Sequence, residues 1–156
     1  MNIKDAMSCF TTGVTVVTAH TKGQDWGMTC NSFNTVSLDP AMVLWSVRKT
    51  SASHEAFATA GGYMVNVLGA QQKDVALKFA QGTQAERFAD QPLVRGVNQH
   101  PRFEGVIAWF DCRIAQVVSA GDHDILIGEV LDFGVQVGHG LAYAQRSFGV
   151  LAALDD

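Results

Sequence analysis

Apolar residues fall in strand-length runs over most of this chain, and only three stretches repeat at helical spacing. Val14-Thr15-Val16-Val17-Thr18-Ala19 is β-branched almost throughout and predicts a strand. Lys22-Gly23-Gln24-Asp25 is turn chemistry, and residues 26–36 predict the returning strand. That strand carries Gly27 and the quartet Thr29-Cys30-Asn31-Ser32 in its middle. Polar side chains are depleted inside strands, so a bend or bulge is predicted here, where a ligand or a backbone comes close. Asp39-Pro40 breaks the chain before an apolar strand at 42–47, and 63–68 predicts a fourth. Long strands at 106–118 and 125–137 are joined by the turn Gly121-Asp122-His123, and 141–144 adds a short last one. Helices are predicted over 2–12, from a Ser51 or Ser53 cap with Glu55 to Ala60, and over 71–81. Residues 82–101 are polar, with one helical turn at 85–88. A connection this long in a small domain is more often functional than idle.

Strands that do not alternate regularly with helices argue against a doubly wound parallel sheet. A single mainly β domain over residues 1–156 is predicted, a Greek-key-like barrel, closed or partly closed, with a few short helices. Closure removes the exposed edges that an open sheet would leave. Composition is that of an ordinary globular domain, with 47% hydrophobic and 17% charged residues. A net charge of −4 and no run of four basic residues remove the electrostatic footprint of a nucleic-acid binder. No basic leader followed by an apolar block is visible, and no apolar stretch reaches spanning length. Cys9, Cys30 and Cys112 form no CxxC pattern, and the five histidines show neither HxH nor i, i+4 spacing. No metal site, disulfide framework or membrane association is expected, and a reduced, cytoplasmic setting is the simplest reading.

Three segments carry candidate chemistry. Asp122-His123 sets a carboxylate and an imidazole at a strand mouth, although Gly-Asp-His is also ordinary turn chemistry. Arg48-Lys49-Thr50-Ser51-Ala52-Ser53 brings two cations and three hydroxyls to a helix start. That suits a phosphate monoester, or a simple cap with a solvated charge pair. Thr29 to Ser32 offers amides and side chains to a flat, heteroatom-rich ring, or forms a bulge whose polar groups satisfy one another. Asn66, alone in an apolar strand, is expected to brace its neighbour. Cys30 has no sequence-evident base, and Ser32 lacks the GxSxG context of a hydrolase. No GxGxxG follows the first strand, so a Rossmann cofactor site is not expected.

The succession Phe10-Thr11-Thr12-Gly13-Val14-Thr15-Val16-Val17-Thr18, Gly27-Met28-Thr29-Cys30-Asn31-Ser32-Phe33, Val36-Ser37-Leu38-Asp39-Pro40, Val65-Asn66-Val67-Leu68, Phe79-Ala80, Arg87-Phe88 and Gly121-Asp122-His123 resembles the short-chain flavin reductase family. The motifs run in family order over nearly the whole chain. The resemblance implies a flavin-binding split β-barrel, usually a homodimer. It implies reduction of FMN or FAD by NADH, with NADPH possible, and delivery of reduced flavin to a separate monooxygenase. By matching position, Thr29, Cys30, Asn31 and Ser32 line the isoalloxazine, while Arg48, Ser51 and Ser53 hold the flavin phosphate. His123 with Asp122 lies on the nicotinamide side, and Phe148 shapes the pocket. Hydride passes between the cofactors themselves, so no catalytic triad is needed. Two departures from the pattern bear on the choice between FMN and FAD and on nucleotide preference: Trp45, bulky beside the phosphate strand, and His100-Pro101, on a loop able to gate entry. A flavin-binding electron-transfer or storage module without NADH oxidation is the alternative from another class. An oxidase of a phosphorylated amine is a third reading, which the Gly-Asp-His motif disfavours.

Overall fold

Residues 1–155 are described in the computed structural model. In chain order its elements are α1 (Ile3–Ser8), β1 (Thr12–Gly13), β2 (Thr15–Thr21), β3 (Gln24–Cys30), β4 (Asn34–Leu38), β5 (Ala41–Arg48), α2 (His54–Thr59) and β6 (Gly62–Val67). A 3-10 turn (Ala70–Gln72) then leads into α3 (Lys73–Lys78), α4 (Gln84–Phe88), β7 (Leu93–Arg95) and β8 (Pro101–Phe103). The long strands β9 (Ala108–Ala120) and β10 (His123–Val135) precede β11 (Leu141–Ala144) and β12 (Ser147–Val150). No described helix is long and apolar enough to cross a membrane.

The protein is mainly β with a few short helices. Seven strands form one antiparallel ladder in the order β3-β2-β6-β9-β10-β5-β4. Its two end strands, β3 and β4, are consecutive in the chain and joined only by Asn31, Ser32 and Phe33. A link of that length spans at most about 14 Å, so the sheet must curl until its ends nearly meet. No backbone pairing among the described residues closes it. The single strand predicted at 26–36 is therefore two strands on opposite ends of the ladder. The polar quartet stops the first of them and opens the corner.

β2 is buried on both faces, as its β-branched run requires. Val17 and Ala19 enter one core with Trp45, Phe57, Tyr63, Val65, Cys112 and Leu126. Val14 and Val16 enter a second, with Leu68, Ala76, Phe79, Phe103 and Leu141. Trp45 meets Phe57 and Tyr63 edge-on, with ring centroids 4.9 and 5.9 Å away. Its side chain is fully buried, so its bulk fills the core and does not border a phosphate site. The 13-residue β9 and β10 pair along their length with two register shifts, which bend the ribbon.

Other departures have local causes. The first helix is shorter than predicted, six residues, closed at its start by a capping box between Asn2 and Asp5. β12 is an extra strand, paired with β11. The polar stretch 82–101 is ordered near its end, where β7 pairs with β8, and side chains fasten it to the sheet. Arg95 grips both carboxylate oxygens of Asp25, at 2.5 and 2.8 Å, and Thr18 Oγ1 donates to the Pro101 carbonyl. His100 is 4% exposed, and its Nδ1 accepts from the His20 amide at 2.9 Å. Burial pushes the His100 pKa down, so it sits there as a neutral ring with Nε2 protonated.

Asn66 is the brace expected of it. Its Nδ2 donates to the Val16 carbonyl at 3.1 Å, and its Oδ1 accepts from the Phe103 amide at 2.8 Å. Replacing it by Leu strands the Phe103 N–H in a dry core, and an unpaired buried group costs about 1–3 kcal/mol. Urea unfolding of Asn66→Leu should show a loss of at least about 1–3 kcal/mol with an unchanged m value. A loss under about 0.5 kcal/mol, the scale of an ordinary surface change, would show that other groups take over both bonds.

Candidate functional site

The site grows out of the end of β3. Side chains alternate along a strand, and Trp26, Met28 and Cys30 pack on the inner core. Gly27, Thr29 and Asn31 therefore face outward. Gly27 lies beneath two aromatic rings, where an added Cβ would stand 2.7 Å from Phe79 Cε1 and 3.1 Å from Phe88 Cζ. Thr29 is held by α3: its amide donates to the Phe79 carbonyl at 3.1 Å and its hydroxyl to the Ala76 carbonyl at 2.6 Å. Asn31 comes one step past the last of these contacts and stands exposed at the lip.

Below that lip lies a cleft of about 380 Å³. It is lined by Thr29, Cys30 and Asn31 from the end of β3, by Tyr143 and Phe148, and by Leu77 and Ala80 of the α3 region. Tyr143 and Phe148 sit with ring centroids 5.1 Å apart, presented by the β11–β12 hairpin. Its two turn residues, Gln145 and Arg146, have φ of 48° and 63°, the backbone of a tight hairpin turn. A polar strand end facing an aromatic wall is a slot for a flat ring with hydrogen-bonding edges, and its volume is in the usual range for small-ligand pockets. Cys30 Sγ lies 3.1 Å from Thr15 Oγ1, and burial pushes its thiol pKa up. It lines the cleft as a neutral thiol, with no base to activate it.

Ser32 does not face the cleft with its neighbours. Its hydroxyl accepts from the Ser46 amide at 2.9 Å and donates to the Ser46 carbonyl at 3.2 Å, which extends the β4–β5 pairing through a side chain. Phe33 turns inward and stacks on Phe110 at 5.6 Å. The three corner residues take three directions, and Asn31 alone is left for a ligand.

A second cluster sits where β10 begins. His123 pairs in register with Arg48 of β5, after a turn in which Gly121 has φ 61°. His123 Nδ1 lies 2.7 Å from Asp122 Oδ1, and that hydrogen bond holds the Asp122 carboxyl below its usual range, with Arg48 adding a smaller push. Lys49 clamps the hairpin, its Nζ donating to the Gly121 carbonyl at 2.9 Å and its amide to the Asp122 carbonyl at 2.9 Å. Next to it, His54 Nε2 meets Asp124 Oδ2 at 2.6 Å and ties the first residue of α2 to β10.

The expected phosphate set is split. Arg48 is exposed beside His123, and Ser51 Oγ accepts from the Ser53 amide at 3.2 Å. Ser53 is 4% exposed, and its hydroxyl accepts from Gln84 Nε2 at 3.1 Å, while Gln84 Oε1 accepts from the Gly27 amide at 2.9 Å. Ser53 thus belongs to a chain of bonds joining α2, α4 and β3. Its side chain makes no cap on α2, so the box with Glu55 does not form. Arg87 completes that bracing, with Nη1 on the Gly27 carbonyl at 2.8 Å. The structure gathers Thr29, Cys30, Asn31 and Phe148 in one cleft and Arg48, Asp122 and His123 in another place. Among the cleft residues missed in the sequence are Tyr143 and Arg146. Their only signal was the alternation on either side of Gln145-Arg146, a turn without glycine or asparagine.

Residues 7–152 match the family model described as "Flavin reductase like domain". The chain is 45% identical over 147 residues to the reductase component of a flavin-dependent trigonelline monooxygenase from Acinetobacter baylyi, covering 94% of this chain and 47% of that protein. It therefore spans about half the length of that relative. An FMN reductase (NADH), SmoA of Agrobacterium fabrum, is 41% identical over 148 residues, covering 95% and 84% of the two chains. The solved structure of the NADH:FAD oxidoreductase SgcE6 from Streptomyces globisporus, in complex with NAD and FAD fragments, superposes with a TM-score of 0.92 at 32% identity, covering 99% of this chain and 93% of that one.

The cleft geometry makes a prediction for its thiol. The thiolate is the reactive form, so a raised pKa keeps Cys30 inert near neutral pH and lets it react only as the pH climbs past the ordinary thiol range. Peptide-level mass spectrometry after iodoacetamide treatment should show Cys30 alkylated at least about tenfold more slowly than the exposed Cys9. Equal rates near neutral pH would contradict the protected environment described.

Proposed function

Because the chain belongs to the family of flavin reductase like domains, we propose that it is an NAD(P)H-dependent flavin reductase that passes reduced flavin to a separate monooxygenase. The observation that carries this reading is the cleft itself, which the polar end of β3 lines together with the Tyr143–Phe148 ring pair. A flavin held there would supply the hydride acceptor, and a nicotinamide nucleotide the hydride. The task left to the protein is orientation. The exposed Asn31 would hydrogen-bond the heteroatom edge of the ring, and Phe148 would pack on its apolar part. Cys30, kept as a thiol, sets no negative charge beside a ring that gains electron density on reduction.

His123 takes the nicotinamide side. With Nδ1 engaged by Asp122, its ring orientation is fixed and Nε2 is left for the carboxamide. Arg48, beside it, is the cation offered to a phosphate, with the Ser51 hydroxyl in support. Ser53 braces α2 and α4 and is withdrawn from that set. FMN and FAD both suit the cleft, and NADH stands ahead of NADPH, as the names of the Agrobacterium and Streptomyces relatives support. The name of the Acinetobacter relative supports a monooxygenase partner. The curled sheet is read as a split barrel working in the cytoplasm. Leu131, Phe133 and Val135 alternate along β10 and are 47%, 68% and 81% exposed, an apolar strip suited to a second copy of the chain. Light scattering at twice the 16.8 kDa chain mass is expected, and a monomer would remove the homodimer.

Steady-state assays separate the enzyme from a flavin-storage module. Rapid NADH oxidation that depends on added FMN or FAD is expected, whereas a tightly yellow protein that leaves NADH intact would favour storage. In the same assay His123→Ala should raise the KM for NADH or lower kcat by about tenfold or more while flavin affinity stays put. Unchanged kinetics would remove the role given to His123.

A further inference from the structure

Arg146 is the one cation among the residues lining the cleft. It stands on the β11–β12 turn, where its own φ of 63° and that of Gln145 at 48° fix how the side chain leaves the backbone. Two bonds hold this turn against α1. The Gln145 amide donates to the Ser8 carbonyl at 2.6 Å, and Arg146 Nη2 donates to Asp5 Oδ1 at 2.8 Å. Asp5 is itself fixed, because its other oxygen accepts from the Asn2 amide at 2.8 Å in the capping box. The Arg146–Asp5 pair is open to solvent, with side-chain exposures of 64% and 39%, and pairs of that kind stabilise little and are screened by salt.

We propose that Arg146 is a phosphate-recognising cation of the cleft and that Asp5 holds it in place until a nucleotide arrives, when the guanidinium exchanges the carboxylate for a phosphate oxygen. The proposal rests on reading the cleft as the site of a flavin or nicotinamide nucleotide. All of those ligands carry phosphate, and the protein they approach carries a net charge of −4, so a local cation is needed where the phosphate lands. The cleft otherwise offers apolar and uncharged groups. A guanidinium binds phosphate through paired, charge-assisted hydrogen bonds, which are stronger than an exposed pair with a carboxylate. Two ligands bring the same chemistry, the flavin through its 5′-phosphate and the nicotinamide dinucleotide through its pyrophosphate, and the probes below tell them apart.

Two single variants of the full chain test the exchange. Arg146→Asn removes the charge with a residue that tolerates a left-handed backbone, and Asp5→Asn frees Arg146 while leaving an oxygen for the α1 cap. Flavin binding is read by fluorescence quenching with FMN and with riboflavin, which share the ring and differ by the phosphate. Nicotinamide binding is read as KM for NADH and for dihydronicotinamide riboside. Arg146→Asn should weaken FMN or NADH by about tenfold and leave the dephosphorylated partner unmoved, and the ligand that moves identifies the phosphate. Asp5→Asn should tighten the same ligand by about twofold. A salt bridge with only a structural role would make both variants move in one direction. If neither the FMN to riboflavin ratio nor the NADH to riboside ratio changes in Arg146→Asn, or if Asp5→Asn weakens binding, the assignment is overturned while the flavin site stands. If the unmodified protein binds neither flavin, the reading of the cleft fails first, and the proposal with it.

Discussion

The bond between Ser32 Oγ and both backbone groups of Ser46 is the constraint on which the rest of the architecture turns. A seven-stranded ladder whose end strands are consecutive in the chain has to curl, and the turn between those ends has only three residues in which to do so. At that corner the backbone of 31–33 leaves regular pairing, and its polar groups need partners. Across from it, the amide and carbonyl of Ser46 on β5 are met by the Ser32 hydroxyl, which accepts from the one and donates to the other. With Ser32 tied to β5 and Phe33 turned in against Phe110, Asn31 is fixed facing out.

The same corner explains why short helices matter to the site. β3 is an end strand, and an uncovered edge invites pairing with other chains. Here α3 covers it through Thr29, and α4 covers it through Gln84 and Arg87 at Gly27. Of the two, α3 also lines the cleft, through Ala76 and Leu77, so edge protection and ligand space share one helix. Gly27 permits the approach, since any side chain there would strike Phe79.

Much of this was legible in the sequence, because periodicity and β-branched runs report burial. β2, β5, β6 and the β9–β10 ribbon follow from their apolar pattern, and Asn66 is the brace its isolation implied. The polar quartet at 29–32 marks the corner, but a linear pattern does not say that the strands before and after it lie at opposite ends of a ladder. Position in sequence likewise does not give the direction of a side chain: Trp45 fills the core, and the Ser53 hydroxyl turns to Gln84. β7 and β8 are three residues each, too short to show a period, and the turn at Gln145-Arg146 lacks the glycine or asparagine that usually marks a two-residue hairpin. Tyr143 and Arg146 stayed hidden with it.

A crystal of the protein soaked with FMN would decide whether the cleft holds the flavin. The isoalloxazine is expected at the end of β3, with Asn31 within hydrogen-bonding distance of its heteroatom edge and Phe148 against its ring. A flavin bound elsewhere on the molecule, with Asn31 turned away from it, would rule the cleft out as its site.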